Sequence, residues 1–200
     1  MAYQTRVNNG VVETQPLEPT EAFIGAKDGP LSSASIGDYW QWAFSDIVGN
    51  TERGVLAEYI VAKAVGALGQ TRNDWAPYDL LTPSDIKVEV KSSAYLQSWF
   101  QRTPSRPQFS IRKAVEWSPE LNEYIGEKRR HSDVYVFCLL AHQGDKQSLN
   151  PLDLSQWEFY VVPTMEIDKN YGERQSITVG QVRELSRSYT LPELAKAIES

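Results

Sequence analysis

Along residues 36–48, Trp40, Trp42, Phe44 and Ile47 break a polar background and predict a short helix with aromatic anchors. Gly49-Asn50-Thr51 interrupts it, and either Asn50 or Thr51 can cap a second helix. That second helix, predicted over 52–68, is apolar nearly all round (Val55, Leu56, Ile60, Val61, Ala62, Ala64, Val65). This is the pattern of a buried helix, with Gly69 as its stop. Short strands are predicted at 78–81, 86–92 and 108–113. Ser118-Pro119-Glu120 has the form of a helix start, with Ser118 as cap and Pro119 at the first helical position. Residues 133–140 form a near-continuous apolar run, the mark of a strand covered on both faces. A polar loop over 143–155 leads to a strand at 157–162 closed by Pro163. Thr178 with Gln181, and Thr190 with Glu193, each fit a capping box opening a C-terminal helix.

Residues 1–35 are rich in Pro, Gly, Glu and Ser without a sustained period, which reads as a flexible or loosely docked arm. No internal repeat appears. The order of elements predicts an α/β fold, a mixed β-sheet flanked by helices, in one domain over 36–200.

The chemistry concentrates in residues 79–91. Ile86, Val88 and Val90 alternate with Lys87, Glu89 and Lys91, so one strand face is apolar and the other charged. Asp79 precedes this strand. If Asp79 and Glu89 share a face with Lys91, two carboxylates hold a hard divalent cation beside an ammonium group. That is the equipment of metal-assisted phosphodiester hydrolysis. Register decides it. A three-residue loop Pro83-Ser84-Asp85 pairs Asp79 with Glu89, whereas an even-numbered loop sends them to opposite faces unless a bulge restores the phase. The plain alternative is a half-exposed strand with its charges in water.

Glu58 adds weight. Its helical neighbours are Gly54, Val55, Val61, Ala62 and Val65, and a carboxylate among them needs a cation or donor. Pairing with Lys63 or an arginine is the structural alternative to a metal role. Residues 92–99 come after Lys91 without a charge, and Gln108-Phe109-Ser110-Ile111 is expected to add a third strand. His131 and His142 lack matching ligands and read as surface residues. The six tryptophans read mostly as packing groups, although Trp99 and Phe100 adjoin a basic stretch and could stack a base. A Schiff-base role for Lys91 lacks an apolar pocket, and no Gly-rich phosphate loop occurs.

Asp79, nine residues, then Glu89-Val90-Lys91 resembles the signature of the restriction-endonuclease-like, or PD-(D/E)XK, nuclease superfamily. The resemblance covers residues 51–140. One departure is that Tyr78 separates Asp79 from Pro77; the carboxylate, which the chemistry needs, is kept. The resemblance implies a restriction-endonuclease-like sheet and a Mg2+-dependent endonuclease acting on DNA, with Mn2+ able to substitute. By the same resemblance Asp79, Glu89, the Val90 carbonyl and Glu58 are metal ligands, and Lys91 positions water or steadies the developing oxyanion. Enzymes of this type often act as homodimers to cut both strands. RNA as substrate is left open by the sequence. The competing reading is a non-catalytic nucleic-acid-binding or protein-interaction module that keeps the fold.

Composition changes this picture only in part. The 200 residues suffice for one domain with a substantial core, and no apolar run is long enough to span a bilayer. The first residues lack the pattern of a secretory signal. The single Cys138 lies in an apolar run, which excludes an internal disulfide or a cysteine-based zinc site, so the expected location is cytoplasmic. A net charge of −6 argues against a stand-alone nucleic-acid binder but not against a metal-dependent nuclease. Residues 101–113 carry Arg102, Arg106, Arg112 and Lys113 with no acid, and Lys128, Arg129, Arg130 and His131 form a second basic cluster. The first group is the candidate phosphate-contact surface; a solvated surface is the ordinary role of either.

Overall fold

The computed structural model describes residues 5–8, 11–25, 27–69, 71–73 and 75–200, with side chains from residue 14 onward. Two short strands, β1 (Thr5–Asn8) and β2 (Val11–Thr14), pair antiparallel within the segment expected to be a flexible or loosely docked arm. That expectation also covers residues 1–4, 9, 10 and 26, which lie outside the described residues. Thr14 meets Thr71, whose hydroxyl donates to the Thr14 carbonyl at 3.1 Å. Helix α1 (Ile36–Phe44) starts where Asp38 accepts from the Ser35 amide, and it buries none of its residues.

Helix α2 (Asn50–Ala64) is shorter than its sequence suggests. Gly66, at φ +72°, turns the chain before Gly69 is reached, because glycine carries no Cβ penalty in the left-handed region. Neither Asn50 nor Thr51 caps it; Gly49 holds the cap position, and the Asn50 side chain accepts from Arg53 instead.

Strands β3 (Leu80–Leu81) and β4 (Lys87–Ala94) form the hairpin of interest. β5 (Gln108–Ser110) is followed by β6 (Ala114–Ser118) and β7 (Glu123–Arg129), which pair antiparallel. The helix expected at Ser118 is therefore absent. The Ser118 hydroxyl instead accepts from the Leu121 amide at 3.2 Å, Asn122 takes a left-handed φ of +54°, and Trp117 packs across onto Tyr124 at 5.0 Å.

β8 (Val134–Leu140) is buried at all seven positions, as its apolar run requires. β9 (Trp157–Pro163), α3 (Thr164–Tyr171), β10 (Ser176–Thr178), α4 (Val179–Leu185), β11 (Ser188–Tyr189) and α5 (Leu191–Glu199) complete the chain. Both expected capping boxes open their helices: Gln181 accepts from the Thr178 amide at 3.0 Å and Glu193 from the Thr190 amide at 2.8 Å.

The central sheet has the order β11-β9-β8-β4-β3, with β4 and β8 parallel and the other neighbours antiparallel. This is an α/β architecture in three layers. On one face, Ala57 and Val61 of α2 and Leu194 and Ile198 of α5 pack on Val88, Val90, Val136, Cys138 and Val161. On the other, Ile167 of α3, Val182 of α4 and the β5/β10 pair, through Phe109 and Ile177, cover Phe137, Leu139, Tyr160 and Val162. β5 thus lies over the central sheet, paired with β10, instead of extending it as a third strand.

Candidate active site

The β3–β4 hairpin settles the register. Leu80 lies opposite Val88 and Leu81 opposite Lys87, and the Thr82 amide donates to Ile86 at 3.0 Å. The loop is therefore Pro83-Ser84-Asp85. Asp85 closes it with φ +61° while its amide donates back to Thr82 at 3.0 Å. Counting back along the ladder brings Asp79 level with Glu89. The Asp79 amide donates to the Val88 carbonyl at 3.1 Å, and its Oδ2 accepts from the Val90 amide at 2.7 Å. Because β3 is only two residues long, a carboxylate takes the place of a backbone acceptor on this edge of β4.

Lys91 joins the two acids. Its Nζ lies 3.9 Å from Asp79 Oδ2 and pairs directly with Glu89 Oε1. All three side chains are mostly covered, exposing 20%, 20% and 27% of their area for Asp79, Glu89 and Lys91. Burial, then the charge of Glu89 and of Glu58, push the Asp79 carboxyl up to about 6, against the opposing pull of Lys91 and the Val90 amide. For Lys91, burial works against the charged form, but Asp79 and Glu89 outweigh it and raise its pKa, so the ammonium persists. Burial and the nearby Glu89 also raise Tyr135, its neighbour in the parallel register.

Glu58 projects from α2 into a cavity of about 610 Å³ bounded by α2, residues 66–69 and 71–73, and β3, whose wall includes Asp79, Tyr59, Tyr78 and Arg72. It does not sit among the other acids uncompensated. Arg72 grips it with two bonds, Nε to Oε2 at 2.5 Å and Nη2 to Oε1 at 3.0 Å. The sequence allowed an arginine partner without indicating which. Among the described residues no three Asp, Glu, His or Cys side chains converge as a ready-made metal cage. Two carboxylates do converge, Asp79 and Glu89. That is the usual protein share of a Mg2+ site, in which water and substrate phosphate complete the shell.

A residue that no sequence motif singles out ties the site's elements together. Arg53 of α2 is 3% exposed and donates to Ser92 Oγ (3.2 Å), Gln97 Oε1 (3.3 Å), the Val48 carbonyl (3.1 Å) and Asn50 Oδ1 (2.7 Å). Burial lowers its pKa, and all four acceptors are neutral. It anchors the helix carrying Glu58 to β4 one residue beyond Lys91.

The basic residues fall outside this constellation. Arg102, Arg106 and Arg112 are exposed, and no ion pair among the described residues engages them. Lys113 pairs with Glu173 at 2.5 Å. Arg130 is buried, donating to the Ile111, Gly172 and Arg174 carbonyls and pairing with Asp168, which makes it a structural clamp. His131, expected at the surface, keeps only 5% of its side chain exposed, with Nε2 against the Ala114 carbonyl at 2.9 Å. Trp42, Trp75, Trp99 and Phe100 are exposed, and Trp157 is the only tryptophan in the buried core of the described residues.

Comparison with protein families gives the class: a nuclease. Residues 41–177, more than half of the chain, match the family described as bacteriophage T4 endonuclease IV, and the chain belongs to that family. The matched stretch contains Glu58, Asp79, Glu89 and Lys91 and the whole span from α2 to β9. A comparison with curated proteins finds no match. Among the described residues, no helix is long and apolar enough to cross a membrane.

Proposed function

We propose that the protein is a Mg2+-dependent endonuclease of the restriction-endonuclease-like type that hydrolyses DNA phosphodiester bonds. The observation that carries this reading is the meeting of Asp79, Glu89 and Lys91 across a three-residue hairpin loop. Asp79 and Glu89 would hold Mg2+ or Mn2+, with the Val90 carbonyl and Glu58 as further ligands. When bound, such a cation makes its water more acidic and offsets charge building on the phosphate. The chain's own contribution rests on Lys91. Its ammonium is held between two carboxylates and stays protonated, so a phosphate oxygen brought beside it would meet a cation already in place. Arg102, Arg106 and Arg112 supply exposed cations for the rest of the backbone. Two copies would bring two such sites to a duplex.

The test is cleavage of DNA by the purified protein with Mg2+ or Mn2+, compared with Glu89→Gln and Lys91→Ala. Each change is expected to cost about 100-fold or more, the scale of losing a preorganised charge at the reacting phosphate. Full activity in both variants overturns the assignment, and a parallel RNA substrate decides the sugar.

The pairing of Glu58 with Arg72 favours a second reading, in which the fold serves as a non-catalytic binding module. Calorimetric titration with Mn2+ separates the two. The nuclease reading expects heat that Glu89→Gln removes, and the module expects none.

A further inference from the structure

Arg72 presents a guanidinium at the mouth of the cavity where the site's third acid lies. Its partner Glu58 exposes 13% of its side chain, while Arg72 exposes 43%. The contact is a two-bond fork, the strongest geometry an arginine offers a carboxylate. Arg72 also feels the charge of Asp79, and Glu58 in turn acts on both Asp79 and Lys91. The fork therefore belongs to the same electrostatic unit as the Asp79–Glu89–Lys91 cluster, although it comes from the loop after α2.

From this we infer that Arg72 is a positioning residue that competes with the divalent cation for Glu58. With no cation bound, the guanidinium compensates the glutamate and holds it away from Asp79 and Glu89. A cation seated on those two acids gains Glu58 as a third carboxylate only when the fork opens. The inference rests on the metal-site reading above and adds a residue that reading does not use. Glu58 is carried by α2 and mostly covered, whereas Arg72 comes from the segment after that helix and is the more exposed of the pair.

The experiment is calorimetric titration of the metal-free full chain with Mn2+, in the wild type and in Glu89→Gln, Arg72→Gln, Glu58→Gln and the Arg72→Gln/Glu58→Gln double variant. Thermal melts establish that each remains folded. Arg72→Gln is expected to tighten Mn2+ binding about fivefold, the scale of releasing one partly exposed ion pair. In the Glu58→Gln background the same change is expected to do nothing. Unchanged or weaker binding in Arg72→Gln overturns the inference while leaving the metal site intact, provided Glu89→Gln still abolishes binding. A gain that persists without Glu58 also overturns it, since Arg72 would then act only as a nearby positive charge. Silence in every variant, wild type included, rejects both the metal site and the competition. A fivefold gain confined to the Glu58 background confirms the inference.

Discussion

Asp79 carries an energetic cost that one substitution removes. Its carboxyl keeps a proton up to about pH 6 in the folded chain, against an ordinary value of 3.8. Between these values the folded state binds more protons than the unfolded one, so stability falls as pH rises through that window. Above pH 7 the full cost applies, on the order of a few kcal/mol at about 1.4 kcal/mol per pH unit. Asp79→Asn keeps an oxygen for the Val90 amide and deletes the charge that burial and Glu89 oppose. The variant, in EDTA, is expected to be more stable than the wild type at pH 8, by up to roughly 6–12 °C in midpoint for a chain of this size. The gain is expected to shrink steadily on acidification and to be nearly gone below the ordinary value of 3.8, where the unfolded carboxyl takes up its proton too. Nuclease activity is expected to fall in the same variant. Differential scanning calorimetry from pH 3.5 to 8 reads the effect. A loss of stability at pH 8, or a gain that does not change with pH, would show that the acid is not held against its own charge.

The packing and the charges set three further outcomes. Arg130→Ala should cost about 2–4 kcal/mol in urea unfolding, because the Ile111 carbonyl loses its donor and Asp168 its partner; near-neutrality would remove Arg130 as a clamp. Gly66→Ala should cost about 1 kcal/mol through its positive φ alone, since the added Cβ would meet nothing closer than Pro83 at 3.9 Å; unchanged urea stability would contradict the strain argument. Replacing Arg102, Arg106 and Arg112 together by Gln should reduce the salt dependence of DNA binding by about 2 to 3 units of log–log slope, and an unchanged slope would place the phosphate contacts elsewhere.

Much of this protein is legible from local pattern. The apolar run of β8, the capping boxes of α4 and α5, and the buried Cys138 arise from periodicity and side-chain chemistry within a few residues. The alternation of β4 puts Glu89 and Lys91 on one face, but whether Asp79 joins them depends on loop length and bulges, and the folded hairpin, with three residues between Thr82 and Ile86, decides it. Other features depend on distant partners. Ser118-Pro119-Glu120 has a helix-start signature, yet pairing of β6 with β7 and the Trp117–Tyr124 contact, with Trp75 beside them, turn it into a hairpin. β5 pairs with β10, more than sixty residues later, and so leaves the central sheet. Glu58 is the clearest case. The sequence shows that a carboxylate among small apolar neighbours requires compensation, but only the folded loop after α2 decides that Arg72 provides it. A side chain's need for a partner is a local property of its burial, whereas the partner's identity depends on which surfaces the whole chain brings together.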